Sequence, residues 1–404
     1  MTRAQVPAIV LGGSQNALSV ARNLARNGIE VVAVNYPYEA IRFSRYARYM
    51  RLDGDSSPQA WERFLLGKES DHLHGSVLLT CGDEAISIVV KHHAILSRKF
   101  LLEETDPAMR RDLLDKFITY RRAQEAGIPT VGYWFVASRE DLERSMAEYR
   151  FPLIMKPLYS PQAHLLNSKA ILIPDRTSLT ERFSFAASLG VGVVLMEYIS
   201  GGDDRLCSYY TYLDEQGEPL VHFTKSLKRR FPRHSGEATY HVTAWIPEAA
   251  ELGLRFFRHL GFQGLGMIEF KRDERDGKLK IIEVNARFTS SDCLIAKSGV
   301  NLALVAYNRI TGRPQAPALD YKKSLVLCRP MQDALAAWEL RRRGELHLSE
   351  WIAELRRIDQ FPFFELRDPL PALVVMGRRA WRLAARQLPP LETSREIRRF
   401  GAEG

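Results

Sequence analysis

Residues 264–287 read GLGMIEFKRDERDGKLKIIEVNAR, two apolar runs on either side of a polar turn. A hairpin folded about Asp276 sets Glu269 opposite Glu283, because 276 lies midway between them and strand side chains alternate between faces. Asn285 follows two residues after Glu283 and Arg287 two further on, so one face would carry two acids, an amide oxygen and a guanidinium if the strand runs on. Like charges directly opposite each other weaken a sheet, and a cation between them removes that cost. Oxygen-only donors of this kind suit Mg²⁺. The alternative is a solvated hairpin whose acids pair with Lys271, Lys278 or Lys280. The flanks Gly266-Met267-Ile268 and Ile281-Ile282 are apolar and favour the metal, since buried like charges without one cost several kcal/mol.

Upstream, the chain opens as strand, tight turn, helix and strand: AIVLGG, then SQNALSVARNLARNG with helical apolar spacing, then IEVVAVN. This βαβ unit implies a parallel sheet. Its turn, Gly12 to Ala17, turns backbone N–H groups and a helix N-terminus toward an anion, and Ser14, Gln15 and Asn16 are the expected substrate-binding residues. The third glycine of a dinucleotide fingerprint is missing, and a turn that merely packs helix on strand is the competing reading. The run SVLLTCGDEAISIVV places Asp83 and Glu84 at a strand's carboxyl end, where open α/β sheets bind ligands, although Asp83 could be only an N-cap.

A helix over Asp112–Gly127 and the strand FPLIMKPL, which ends in Lys156 and Pro157, begin a second domain near residue 111. Beyond come VVLMEYISGGDDR, an alternating strand pair with its turn at Glu215–Glu218, and the basic run KSLKRRFPRH. A helix is expected from about Pro247 to Leu260.

In this order, and over most of residues 1–312, the chain resembles the ATP-grasp ligases. The resemblance rests on Glu269 followed by Glu283-Val284-Asn285-Ala286-Arg287, the pattern Glu-x-Asn-x-Arg of that family's last hairpin. It implies an α/β chain of ATP-grasp fold: a pre-ATP βαβ domain (1–110), an ATP-grasp domain (111–312) split into a lid subdomain (111–193) and a catalytic α+β subdomain (194–312), and a mostly helical C-terminal extension (313–404). By the same resemblance Glu269, Glu283 and Asn285 hold two Mg²⁺ ions, with Mn²⁺ as an alternative, that bridge the phosphates of ATP, and Arg287 stabilises the transferred phosphoryl group. Lys116 and Lys156 match the two phosphate-binding lysines, the backbone of Glu197, Tyr198 and Ile199 would meet adenine, and Asp204, or Asp203 in its place, would bind the ribose. Lys225 and Arg229, from a cluster that includes Lys228 and Arg230, are the expected cationic partners of the γ-phosphate or of the substrate carboxylate. One departure stands out: the loop PLYSPQAHLLNSK after the second lysine has no glycine, so Ser160, His164, Ser168 or Lys169 would have to supply donors that the family draws from backbone N–H groups.

The activity implied is an ATP-dependent carboxylate–amine ligase that forms an amide or peptide bond through an acyl phosphate, releasing ADP and phosphate. The alternatives are a purine-type ATP-dependent carboxylase and a non-catalytic ATP-binding regulator. Composition is that of an ordinary folded globular protein: 404 residues, 46% hydrophobic and 26% charged. With 57 Lys and Arg against 48 Asp and Glu, the net charge of +9 favours anionic partners. A nucleic-acid surface would want interleaved aromatics, and only Phe231 stands near the basic run, so nucleic acid is not expected. Four scattered cysteines, with no long apolar stretch, place the protein in the cytoplasm. The resemblance implies small-molecule carboxylate and amine substrates, with a homodimer left open. The ending GRRAWRLAARQL sets Arg, Trp and Leu at helical spacing, which could lie on an anionic membrane surface or pack on its own domain.

Overall fold

The computed structural model describes residues 5–52, 57–234 and 236–387, with side chains to residue 381. Three sheets organise it. The first is parallel, in the order β3-β2-β1-β4, from β1 (Ala8–Leu11), β2 (Val31–Val34), β3 (Arg48–Tyr49) and β4 (Val77–Thr80). The tetrapeptides of β1, β2 and β4 are buried at every position, as a parallel strand covered on both faces requires. The helix Gln15–Ala25 returns the chain between β1 and β2, which realises the expected βαβ unit. At the turn before it Gly13 has φ +82°, and a Cβ there would stand 2.5 Å from that of Cys81. Only glycine fits.

The second sheet, antiparallel in the order β5-β8-β6-β7, comprises β5 (Tyr133–Val136), β6 (Leu153–Pro157), β7 (Ile171–Ile173) and β8 (Val193–Glu197). The expected boundary at 193 therefore falls at the first residue of a strand of this smaller sheet.

The third sheet has the order β13-β12-β9-β10-β11-β14: β9 (Leu206–Leu213), β10 (Pro219–Phe231), β11 (Glu237–Thr243), β12 (Gly264–Arg272), β13 (Leu279–Asn285) and β14 (Val326–Cys328). All eight residues of β9 are buried, which fits a central strand. The helix Pro247–His259 packs its buried phenylalanines Phe256 and Phe257 beneath this sheet. Because β14 pairs with β11, the sheet continues past the boundary expected at 312, and the C-terminal segment is built into it. Residues 388–404 of that segment lie outside the described residues.

The helix read as continuous from Asp112 is two, Pro107–Leu114 and Lys116–Glu125, broken at Asp115, whose carboxylate caps the second by accepting from the Ile118 amide at 2.9 Å. Apolar spacing cannot reveal such a break. Its consequence is that Lys116 becomes the first residue of a helix beside the sheets.

Candidate functional site

The hairpin pairs as its sequence predicts. Glu269 of β12 is the register partner of Glu283 of β13, with Met267 opposite Asn285, and a bulge between Glu269 and Phe270 shifts the register toward the turn. Ser208 of β9 and Lys225 of β10 continue the row from Glu269 across the sheet. Lys225 is buried, donates to Ser208 Oγ at 3.2 Å and stands 5.8 Å from the Tyr210 ring centroid, so it borders the paired acids.

Cations surround those acids. Lys116 Nζ lies 3.6 Å from Glu283 and donates to Ser160 Oγ at 3.1 Å, so the loop without glycine supplies a side chain that holds a site lysine. Lys156, buried on β6, donates to Tyr120 Oη at 3.0 Å and to the Ile282 carbonyl at 2.8 Å. Desolvation lowers its pKa, against the raising field of Glu283 and Glu269. Burial alone would raise the Glu283 pKa, yet Lys116, Lys156, Lys169 and Arg287 together pull it down to about 2. Glu283 is thus an ionised oxygen donor at any physiological pH.

Beyond Asn285 the strand ends, and Arg287 reaches to the parallel-sheet domain, where its Nε donates to the Asp83 carboxylate. Burial raises the Asp83 pKa, but Arg287 outweighs it and leaves Asp83 below the ordinary carboxylate range. Asp83 is therefore the ion partner that fixes Arg287 between two domains.

Several expected residues behave otherwise. Arg229 is buried with both guanidinium edges committed: its Nε and Nη2 donate to Asp333 at 2.9 Å each, and its Nη1 donates to Glu354. It anchors the C-terminal segment and does not face the acids. The register with β11 slips on both sides of Arg229, which breaks the alternation that would have kept it on the face of Lys225. Its neighbour Arg230 faces the site instead, 3.6 Å from Glu269 and 3.6 Å from Asp203. Asp204 is exposed, whereas Asp203 is turned inward and accepts from the His234 amide at 3.3 Å. Both acids line a cleft of about 220 Å³ that Leu340 and Glu345 of the C-terminal segment close from the other side.

In the first turn, Gln15 and Asn16 are buried and already engaged. Gln15 Nε2 donates to Ser290 O at 2.8 Å, and Asn16 Nδ2 donates to Cys81 O and Phe288 O at 2.7 and 2.8 Å. Through these amide N–H groups they clamp the first helix to the chain after Arg287, while Gln15 Oε1 is buried with no partner among the described residues. Ser14 stays half-buried at the turn, its amide donating to Asn16 Oδ1 at 2.9 Å.

At the hinge, the Glu197 amide donates to Gly132 O and the Tyr198 amide to Pro152 O. Lys271 Nζ donates to the carbonyls of Ile199 and Gly201 at 2.8 and 2.7 Å and lies over the Tyr198 ring. Of the three expected adenine contacts, the Ile199 amide is the one whose N–H has no partner among the described residues. Lys271, read from sequence as a possible partner of the hairpin acids, is a hinge residue, and Lys280 pairs with Asp273 and Asp276 at the turn.

Among the described residues no group of three or more His, Cys, Asp or Glu side chains could hold a metal ion. The donor set here is two carboxylates and an amide, which matches a cation that takes oxygen ligands and shares further ones with phosphate. The Asn285 side chain is buried and has no hydrogen bond among the described residues, as a group reserved for a ligand would be.

No protein-family model matches the chain. The D-aspartate ligase of Enterococcus faecium (strain Aus0004) is 23% identical over 334 residues, covering 76% of this chain and 77% of that protein. An ADP complex of an N5-carboxyaminoimidazole ribonucleotide synthetase superposes with a TM-score of 0.62 at 14% identity, covering 81% of this chain and 82% of the other. An L-amino acid ligase from Bacillus licheniformis gives a TM-score of 0.58 at 18% identity, with 76% and 75% covered. With its parallel sheet, small antiparallel sheet and acid-bearing hairpin, the chain is a protein of the ATP-grasp fold.

Proposed function

We propose that the chain is an ATP-dependent carboxylate–amine ligase. The observation that carries this reading is the row of Glu269, Glu283 and Asn285 on one sheet face, ringed by Lys116, Lys156, Lys225, Arg230 and Arg287. Mg²⁺ held by the two carboxylates and the Asn285 amide oxygen would offset charge on the triphosphate and polarise the γ-phosphoryl group. Lys116 and Lys156 bind phosphate oxygens as compact charges, and Tyr120 with the Ile282 carbonyl fixes where the second of them points. The Ile199 amide and the Glu197 carbonyl face adenine, and Asp203 takes the ribose hydroxyls in place of the exposed Asp204.

A substrate carboxylate oxygen attacks the γ-phosphorus and ADP leaves, giving an acyl phosphate. The amine then adds to the acyl carbon, phosphate departs, and the amine's proton passes to solvent or base. Arg287, tethered by Asp83, and Arg230, poised between two acids, are the guanidinium groups placed to meet charge that grows on the phosphoryl oxygens. The likeness to a D-aspartate ligase and to an L-amino acid ligase supports an amino acid as one of the two substrates.

Phosphate release with ATP, Mg²⁺ and a panel of amino acids and other carboxylates tests the reading. Release that needs both a carboxylate and an amine is expected. The superposition on a carboxyaminoimidazole ribonucleotide synthetase favours the carboxylase as the second reading, and release driven by bicarbonate alone would establish it. Nucleotide binding without release under every condition would make the protein a regulator.

A further inference from the structure

The C-terminal segment shows solvent an apolar face that nothing in the ligase reading uses. In the helix Leu370–Gln387, Leu373, Met376 and Trp381 are 59%, 58% and 71% exposed, and Leu370, Gly377 and Ala380 are exposed with them. At 100° per residue these six fall on one side, while Pro371 and Ala372 are buried on the other. The buried side is anchored: Arg378 lies over the Phe43 ring at 5.2 Å, and Arg379 donates to Gln332 at 3.0 Å. That last bond joins the helix to its neighbour Pro330–Arg342, which has an exposed stripe of its own, Met331, Leu335 and Trp338, at helical spacing. Exposed apolar side chains on two touching helices are more than the scattered singles of an ordinary surface.

The charge at the end of the second stripe names the occupant. The second stripe runs into the exposed triplet Arg341, Arg342 and Arg343, with the Arg342 guanidinium 5.0 Å from the Trp338 ring centroid. Residues 313–404 hold 17 Lys and Arg against 12 Asp and Glu, so more than half of the chain's net charge of +9 sits in its last quarter. A second copy docking through the same patch would set these arginines against their own images. An anionic bilayer offers phosphates to the arginines and an acyl boundary to Leu, Met and Trp. No helix among the described residues is long and apolar enough to cross a membrane, so such contact is interfacial.

We propose that the exposed residues Leu370, Leu373, Met376 and Trp381 of the one helix, and Trp338 with Arg341–Arg343 of the other, dock the protein on an anionic lipid surface. This inference is independent of the ligase reading. The test is co-sedimentation of the full chain with large vesicles of phosphatidylcholine, with or without phosphatidylglycerol. Binding to the anionic vesicles should be stronger by at least about tenfold, and should fall steeply as salt is raised. The double substitution Leu373→Glu with Trp381→Glu should abolish it, and Arg341→Gln with Arg342→Gln and Arg343→Gln should remove the preference for anionic lipid. Both variants change exposed side chains, and an unchanged thermal midpoint verifies that they fold. Equal binding to both vesicle types, or binding that survives the double substitution, overturns the proposal. So does a dimer, seen by light scattering, that the double substitution dissociates while vesicles bind neither form, which would assign the face to a second copy. Vesicle binding that appears only after truncation beyond Gln387 overturns it too, by assigning the cover to residues 388–404.

Discussion

The Arg230 guanidinium stands 3.6 Å from the Glu269 carboxylate, while Arg229, one residue earlier on the same strand, is buried against Asp333. Adjacent arginines thus carry opposite duties. Arg230→Gln should lower turnover by tenfold or more, about 1.4 kcal/mol at the transition state, with little change in stability. Arg229→Gln leaves Asp333, which is fully buried, without its cation, and should cost about 3–5 kcal/mol of stability in urea unfolding. If the Arg229 variant is as stable as the parent yet inactive, the division of roles is wrong.

Lys156 illustrates a group whose burial opposes stability for the sake of binding. Its ammonium is desolvated on β6, and its hydrogen bonds go to one hydroxyl and one carbonyl. Lys156→Met should weaken ATP binding by at least about tenfold in calorimetry, while the unliganded protein loses no stability or gains some. A variant that binds ATP normally would remove Lys156 from the phosphate site.

How much of this was legible beforehand depends on the range of the forces involved. The facing of Glu269 and Glu283 follows from strand alternation and a short turn, both local, and the register confirms it. The same alternation misleads at Arg229, because a bulge is set by packing between strands and leaves no mark in residue types. Asp83 and Arg287 are 204 residues apart, and no spacing rule links them. Gln15 and Asn16 looked like ligand donors because amides serve ligands and carbonyls equally well. Only the loop at 288–290, brought close by tertiary structure, decides that they clamp the domains. The Arg229–Asp333 pair likewise needs β14 to extend the third sheet, an event invisible in a composition shift after Gly312.

Asp203 and Asp204 compete for one role. Asp203 is turned in toward Arg230 and His234, and Asp204 is exposed. Asp203→Asn should raise the KM for ATP by roughly tenfold or more, the weight of one charge-assisted hydrogen bond pair, and Asp204→Asn should leave it within about twofold. The reverse pattern would return the ribose to the residue that sequence position favours.

Asp292 lies at the junction of the first helix with the segment after Arg287. It is buried, accepts from Ser19 Oγ at 2.7 Å through one oxygen, and its other oxygen has no partner among the described residues. Desolvation pushes its pKa up to about 6, against smaller lowering effects of Ser19 and Asn23. The ordinary value is 3.8, so between the two the native state holds a proton that the unfolded chain has released. Stability therefore falls as pH rises through this window, and the whole penalty is present above it. Asp292→Asn keeps an acceptor for Ser19 and carries no charge. It should stabilise the protein by roughly 1–3 kcal/mol at pH 7.5, an advantage that shrinks to nothing below about pH 4. Urea unfolding of both proteins across this range is the measurement, and parallel stability curves would mean that Asp292 is no more costly to ionise in the folded chain than in the unfolded one.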